Sequence, residues 1–165
     1  MDKESIQLEP MRAGDIDAAV ELVRKAMNEH EAAWARTTLE FHFACAARGL
    51  DDSRSYLLYR ENERLLGVVG LHKYIWGPPE NVWLAWFAVH PDCHGRGVGG
   101  RLVDYVEMLA RRAGCRKFFV ETYDSTAFDK ARSFYLKKEF VEAGRIADYL
   151  PDGSSMVVYR KSLSP

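Results

Sequence analysis

Four glycines in six positions, Gly95, Gly97, Gly99 and Gly100, stand between an apolar run, Val82 to Val89, and a helical repeat. That repeat places Val98, Leu102, Val103, Val106, Leu109 and Ala113 on one face and stops at Gly114. A second strand pattern, "KFFVET", follows at once. A strand, a glycine turn, a helix and a second strand close in one common way. The crossover is right-handed and the two strands lie parallel in one sheet.

The rest of the chain is arranged around this unit. "IQLEPM" reads as a short first strand, and Asp15 as the N-cap of a helix carrying Ile16, Ala19, Val20, Val23 and Met27. Thr37-x-x-Glu40 has the form of a capping box and opens a second helix with Leu39, Phe43, Ala46 and Ala47, ended by Gly49. The stretch between them, "NEHEAAWAR", reads as an exposed connection. "SYLLYR", "RLLGVVGLHKYIW" and "VWLAWFAV" are joined by the turns "ENE" and "GPPEN" and predict an antiparallel meander. "AFDKARSFYLKK" is a last helix, with Ala127, Ala131, Phe134 and Tyr135 toward the core. "FVEAGRI" and "MVVYRKSL" close the fold around "PDGSS". The expectation is a mixed α/β fold, an α+β mixed sheet with antiparallel N-terminal strands and one central parallel β-α-β crossover. One domain spans residues 1–165.

Composition narrows the setting. A net charge of −1 exerts no electrostatic pull toward nucleic acid or membrane surfaces. No apolar run approaches the roughly 18 residues of a membrane span. The first residues lack a signal-peptide layout, so a cytoplasmic protein is expected. Cys45, Cys93 and Cys115 are odd in number and read as reduced thiols. Acids outnumber bases in the first 31 residues, whereas Arg96, Arg101, Arg111, Arg112, Arg116 and Lys117 face only Asp104 and Glu107 in the segment from Arg96 to Lys117. One end suits a cation and the glycine segment an anion.

Gly95-x-Gly97-x-x-Gly100 matches the dinucleotide fingerprint to the letter, and Glu121 lies near the place of its ribose-binding acid. The surroundings reject that reading. "HPDCH" separates Val89 from the first glycine, and the 65 residues after Gly100 end in a hairpin instead of building a second half-sheet. A P-loop lacks its Lys-Ser/Thr pair. What survives is physical: glycines at a helix start expose several N–H groups to one spot, where the helix dipole favours a pyrophosphate. Arg96 and Arg101 stand close by in the sequence.

These residues resemble the GNAT superfamily of N-acetyltransferases. That family's acetyl-CoA motif, Gln/Arg-x-x-Gly-x-Gly/Ala, is matched by His94-Gly95-Arg96-Gly97-Val98-Gly99, with His94 in place of Gln or Arg. "KARSFYLKKEF" is similar to the family's Ala-x-x-Phe-Tyr-x-Lys-x-Gly-Phe segment, with Glu139 where glycine is usual. A residue with a Cβ costs about 1 kcal/mol in the left-handed conformation common there. The order of elements is similar over nearly the whole chain.

The resemblance implies acetyl-CoA as co-substrate and no metal. Its pantetheine arm would run along Phe87, Ala88 and Val89. Its pyrophosphate would sit on the amides of His94, Gly95, Arg96, Gly97, Val98, Gly99 and Gly100, with Gly100 a packing residue. Asp129 and Tyr135 would approach from the other side. Tyr135 is implied as general acid; its ordinary pKa of about 10 keeps it protonated at neutral pH, within reach of a thiol's, about 8.5. Glu121 is the candidate base, directly or through water, and His72 competes with it. Glu29, His30, Glu31, Trp34, Trp76 and Tyr149 belong to segments that build the acceptor side in that family. The acceptor would be a small-molecule or peptide amine, and the acid-rich first third favours a cationic one. A homodimer is a common state there. A non-catalytic acyl-CoA-binding sensor or interaction domain is the alternative. His90, Cys93 and His94 sit close together, but metal binding needs a fourth ligand.

Overall fold

The computed structural model describes residues 6–163. The first helix, α1, spans Ile16–Ala26 and buries Ala19, Val20, Leu22 and Val23 on one face. A 3-10 turn, Ala13–Asp15, precedes it. Asp15 is the N-cap residue of α1 as its place predicts, but its carboxylate accepts the Arg12 N–H at 2.8 Å and no amide of α1.

The second helix, α2, spans Glu29–Ala47, nine residues earlier than the Thr37 box predicts. Asn28 is the true cap, its side chain accepting the Glu31 N–H at 2.9 Å. Thr37 is interior, its hydroxyl donating to the Ala33 carbonyl. "NEHEAAWAR" is therefore helix, not connection, and Glu31, Ala32 and Ala35 are buried with Leu39. The small apolar residues on that face hide among polar neighbours, so the periodicity is weak where the burial is real.

Among the described residues seven strands form one sheet in the order β1-β2-β3-β4-β5-β7-β6. They are β1 (Glu9–Pro10), β2 (Arg54–Glu61), β3 (Arg64–His72), β4 (Asn81–Val89), β5 (Lys117–Tyr123), β6 (Val141–Ile146) and β7 (Met156–Ser162). The first strand is shorter than "IQLEPM", and β3 stops at His72. "KYIW" instead leads into the turn before β4, with Tyr74, Ile75 and Trp76 exposed. The meander β2-β3-β4 is antiparallel, as the short turns require. Helix α3 (Val98–Arg112) carries the chain from β4 to β5, which are the parallel pair. Helix α4 (Asp129–Lys137) follows β5, and Ala127 lies exposed in the 3-10 turn before it.

Two features of β4 position the site. Its register against β3 slips between Val69↔Phe87 and Leu71↔Leu84, so β4 carries one extra residue, a bulge, near Ala85 and Trp86. It also pairs with β5 only from Asn81 to Trp83, opposite Lys117 to Phe119. Beyond Trp83, β4 stays with β3 while β5 continues along β7. The sheet opens there into a V.

Each face of the sheet has its own core. On one, Leu102, Val103 and Val106 of α3 pack with Phe118, Val120, Tyr135 and Phe140. On the other, Val20, Val23 and Leu39 pack with Leu58, Val68 and Ala88. Burying each of these aliphatic side chains stabilises by about 1.5–3 kcal/mol, which holds the V open between two rigid layers.

Candidate functional site

The segment after β4 is fixed before it reaches the glycines. His90 caps a 3-10 turn, Pro91–Cys93, by accepting the Asp92 N–H, and Arg64 holds Asp92 at 2.7 Å. Cys93 is buried. The His94 Nε2 lies 3.2 Å from the Val89 carbonyl oxygen and ties the loop back to the strand end. His90, Cys93 and His94 therefore point to separate partners. Among the described residues no cluster of three or more His, Cys, Asp or Glu is arranged to hold a metal ion.

Gly95 and Gly97 both have φ of +75°, and a Cβ on either would meet nothing within 4 Å. They are glycines for conformation, and the space beside them is open. Gly97 is the N-cap of α3, and no side chain caps the helix. The first-turn amides of Val98, Gly99 and Gly100 have no intrahelical acceptor, and no acid stands in that turn to take them. This is an anion cradle of main-chain donors at the positive end of a helix dipole.

Gly99 has a different task. A Cβ there would lie 3.3 Å from Phe87 Cζ and 3.5 Å from Val89 Cγ2, so its absence lets the first turn of α3 abut β4. Gly100 does not carry the packing role expected of it, since its nearest neighbour would be the Lys138 ammonium at 3.9 Å. Arg96 lies 3.6 Å from Glu61, while the Arg101 Nε is buried without a partner.

Between this loop and the opening of the V, β4 from Leu84 to Val89 is bonded to β3 on one side and, among the described residues, to no strand on the other. Phe87 stacks on Phe134 of α4, with centroids 5.7 Å apart. One residue on, Tyr135 is buried, its ring packed against Phe134, Phe140 and Tyr159. Burial pushes its pKa well above the ordinary tyrosine value. Asp129, at the start of α4, is held by Arg132, which also donates to the carbonyls of Tyr123 and Ser125. The ends of α4 and β5 are thereby locked together. Glu139 follows the helix with φ of +66°, the left-handed position that its place in the sequence predicts.

The opposite face of the V is lined by side chains. Trp83 stacks on Phe119 at 4.5 Å and on His72 at 6.2 Å, and Tyr74 meets Trp83 edge-on. Tyr123 stacks on Tyr149 and meets Phe128 edge-on. Burial lowers the His72 pKa to about 4, which leaves the imidazole neutral at pH 7 but a weak base for an ammonium proton. Glu121 accepts a hydrogen bond from the Tyr74 hydroxyl at 3.2 Å. Its residue is open to solvent, but the walls of the cleft desolvate the carboxylate and raise its pKa.

Glu31, from the buried face of α2, is 6% exposed. Among the described residues its carboxylate has no hydrogen bond or ion pair, and burial pushes its pKa up to about 7. Burial and then the charge of Glu31 raise the Tyr123 pKa to about 12, with Tyr149 and Glu121 adding to the shift. Of the other acceptor-side candidates, Glu29 is exposed and bound to Arg24 at 2.7 Å, and His30 is exposed.

Tyr74, Trp83, Phe119 and Tyr123 are site residues that sequence reasoning missed. Phe119, Glu121 and Tyr123 alternate along β5, and this is the one signal that could have placed two of them beside Glu121. A separate groove, lined by Pro78, Glu80, Asn81, Arg116, Lys117, Phe119 and Arg160, lies at the closed end of the V. Among the described residues no helix is long and apolar enough to cross a membrane.

The sequence model of the acetyltransferase (GNAT) family matches residues 18–140. None of the curated proteins matches the chain. Solved structures share its fold. A protein from Desulfovibrio desulfuricans, described as a GNAT-family acetyltransferase, superposes with a TM-score of 0.84 at 19% identity, covering 96% of this chain and 99% of that one. An aminoglycoside 6'-N-acetyltransferase complexed with coenzyme A gives 0.75 at 16% identity, covering 97% and 98%. The ribosomal-protein-S18-alanine N-acetyltransferase from Escherichia coli gives 0.71 at 16% identity, covering 96% and 94%. These two neighbours are named for unlike acceptors at equal identity, so the fold alone does not choose one.

Proposed function

The chain belongs to the GNAT acetyltransferase family, and on that premise we propose that it transfers an acetyl group from acetyl-CoA to a primary amine, by direct attack in a ternary complex. The observation that carries this reading is the V between β4 and β5, which ends in an uncapped, glycine-built helix start. The residues present fit the co-substrate. Open main chain at Phe87, Ala88 and Val89 can bond an extended pantetheine arm as an added strand would. The amides from His94 to Gly100 can receive a pyrophosphate, with open space at Gly95 and Gly97 and no competing acid. Asp129 and Tyr135 approach from α4.

The reaction needs a neutral amine, a donor for the developing oxyanion and a proton for the departing sulfur. Glu121 takes the amine proton, directly or through one water, and its raised pKa suits a base working near neutrality. A main-chain N–H near Phe87 or Val89 polarises the thioester carbonyl. The nitrogen forms its bond to the acetyl carbon, the carbon–sulfur bond breaks, and Tyr135 donates its proton to the thiolate. Burial keeps Tyr135 protonated at every working pH. The same apolar surroundings raise the basicity of the thiolate it meets, so the transfer stays feasible. Tyr135 then recovers a proton from solvent.

Thermal stability measured with acetyl-CoA, CoA and NAD tests the binding half. Both CoA species should raise the midpoint by mass action and NAD should not. No shift with acetyl-CoA sinks the reading. Thiol release with a panel of amines tests the chemistry. A cofactor shift without turnover of any amine leaves an acyl-CoA-binding domain in its place.

A further inference from the structure

The groove at the closed end of the V takes no part in the reaction. Its volume is about 470 Å³, within the roughly 300–1,000 Å³ of small-molecule sites. Three cations line it, Arg116, Lys117 and Arg160, against one acid, Glu80. Among the described residues, the Arg116 and Arg160 guanidinium groups have no ion pair and no hydrogen bond, and Glu80 pairs with none of the three cations. Lys117 donates only to the Ser162 hydroxyl, at 3.0 Å.

Main chain fixes where these side chains start. The Arg116 N–H donates to the Glu80 carbonyl at 2.7 Å, and the Arg116 carbonyl accepts the Leu163 N–H at 2.8 Å. Lys117 opens β5 between Asn81 of β4 and Ser162 of β7. Arg160 stands opposite Phe119, on the face of the sheet that also carries Lys117. That face lies away from α3, whose core takes Phe118 and Val120. Among the described residues the core under α1 and α2 draws on β2, β3 and β4 and on no residue of β5 or β7, and Arg116 and Arg160 are exposed. Phe119 supplies the ring of the groove, and it is steadied by its stack on Trp83 at 4.5 Å.

Like charges gathered in one groove repel, and the fold gains nothing by gathering them. A bound anion removes that repulsion, and planar guanidinium forks match the oxygens of a carboxylate or a phosphate. We propose that this groove is a second ligand site, which takes a small organic anion: a carboxylate or phosphate group on an aromatic or apolar body. The anionic group lies on Arg116 and Arg160 with Lys117 beside them, and the body rests on Phe119 and Pro78. From Asn81 to Val89, β4 runs about 26 Å before it reaches the glycine loop, so the site is separate from the pyrophosphate cradle. Its ligand is neither the amine nor acetyl-CoA, and its binding stands whether or not the chain transfers acetyl groups.

Calorimetric titration with phenyl phosphate and with phthalate, at fixed ionic strength and with coenzyme A present to fill the glycine cradle, tests this. At least one of the two should bind saturably, and the tighter one names the anionic group. Inorganic phosphate should bind more weakly than the tighter probe, and phenol should not bind. Arg160→Gln should weaken the tighter probe about tenfold or more, the range of a hydrogen bond between charged groups. Glu80→Gln should tighten it about two- to threefold by removing a screened repulsion, a gain that a misfolded variant cannot mimic. Should Arg160→Gln fail to fold, Arg116→Gln, outside the strands, must show the same loss. Absence of saturable binding by either probe overturns the proposal, as does binding that the arginine substitutions leave unchanged or that Glu80→Gln weakens. Phenol binding as tightly as the anions removes the charge from the site, and inorganic phosphate binding as tightly removes the aromatic body.

Discussion

The two halves of the V are built from different material. The side facing α3 and α4 offers main chain: an unpaired strand edge, glycines with positive φ and the N–H groups of a helix start. The side facing α1 and α2 offers side chains: the rings of Tyr74, Trp83, Phe119, Tyr123 and Tyr149, from β4, β5 and the connections after β3 and β6, with the Glu121 carboxylate. Main-chain recognition tolerates change in most side chains and constrains a few glycines. Side-chain recognition constrains many positions loosely. The first suits a ligand shared by many proteins, and the second suits one that differs from protein to protein.

The sharpest way to break this division is at Tyr135, the one side chain on the main-chain half proposed to do chemistry. Tyr135→Phe should lower kcat by about 100- to 10,000-fold, the range of a lost general acid, with the acetyl-CoA thermal shift intact. Equal turnover would remove it from the mechanism. Next comes Glu31→Gln as a stability probe of the side-chain half. The folded pKa, about 7, lies above the ordinary 4.5. The folded state therefore holds more protons between those values, and stability falls as pH rises through that window. The cost is fully present above pH 7 and amounts to about 3 kcal/mol. Glu31→Gln should raise the thermal midpoint at pH 8 and leave it unchanged below pH 4.5. An identical midpoint at pH 8 would mean that Glu31 has a counter-charge.

On the main-chain half, Gly97→Ala forces a Cβ into the left-handed region at a cost of about 1–2 kcal/mol. Acetyl-CoA affinity measured by calorimetry should fall about tenfold, with acceptor KM unaffected. The smallest effect is expected at Glu139, held at φ of +66° after α4. Glu139→Gly should stabilise by about 0.5–1 kcal/mol in chemical denaturation, since the Glu139 side chain is exposed and Lys161, 3.5 Å away, keeps its closer pairing with Glu107 at 2.8 Å.

The same contrast explains what the sequence disclosed. The crossover from Val82 to "KFFVET" was legible because a glycine run between a strand and a helix has few closures, and Glu139 betrayed its backbone because its place after the helix is a known one. The cleft of Tyr74, Trp83, Phe119 and Tyr123 was not legible, since nothing local states that these elements converge. Glu31 was hidden twice over. Its helix start was misplaced at Thr37 while Asn28 held the cap, and an acid in "NEHEAAWAR" reads as solvated unless the Ala32 and Ala35 face beside it is recognised as core.

The extra residue in β4 near Ala85 and Trp86 resets the parity of the strand. Val82 and Leu84 belong to the α3 side, and after the bulge Phe87 and Val89 return to it, while Ala85 and Trp86 both join the α1 and α2 layer. Strict alternation from Val82 would have sent Phe87 and Val89 to the other layer. Deleting Ala85 or Trp86 would restore plain alternation from Leu84 and keep Phe87 on the side where it meets Phe134 and Gly99. Elsewhere along the strand no spare residue absorbs such a loss, and side chains beyond the cut would exchange faces. In coding terms the strand has one short interval where its count of residues can fall by one.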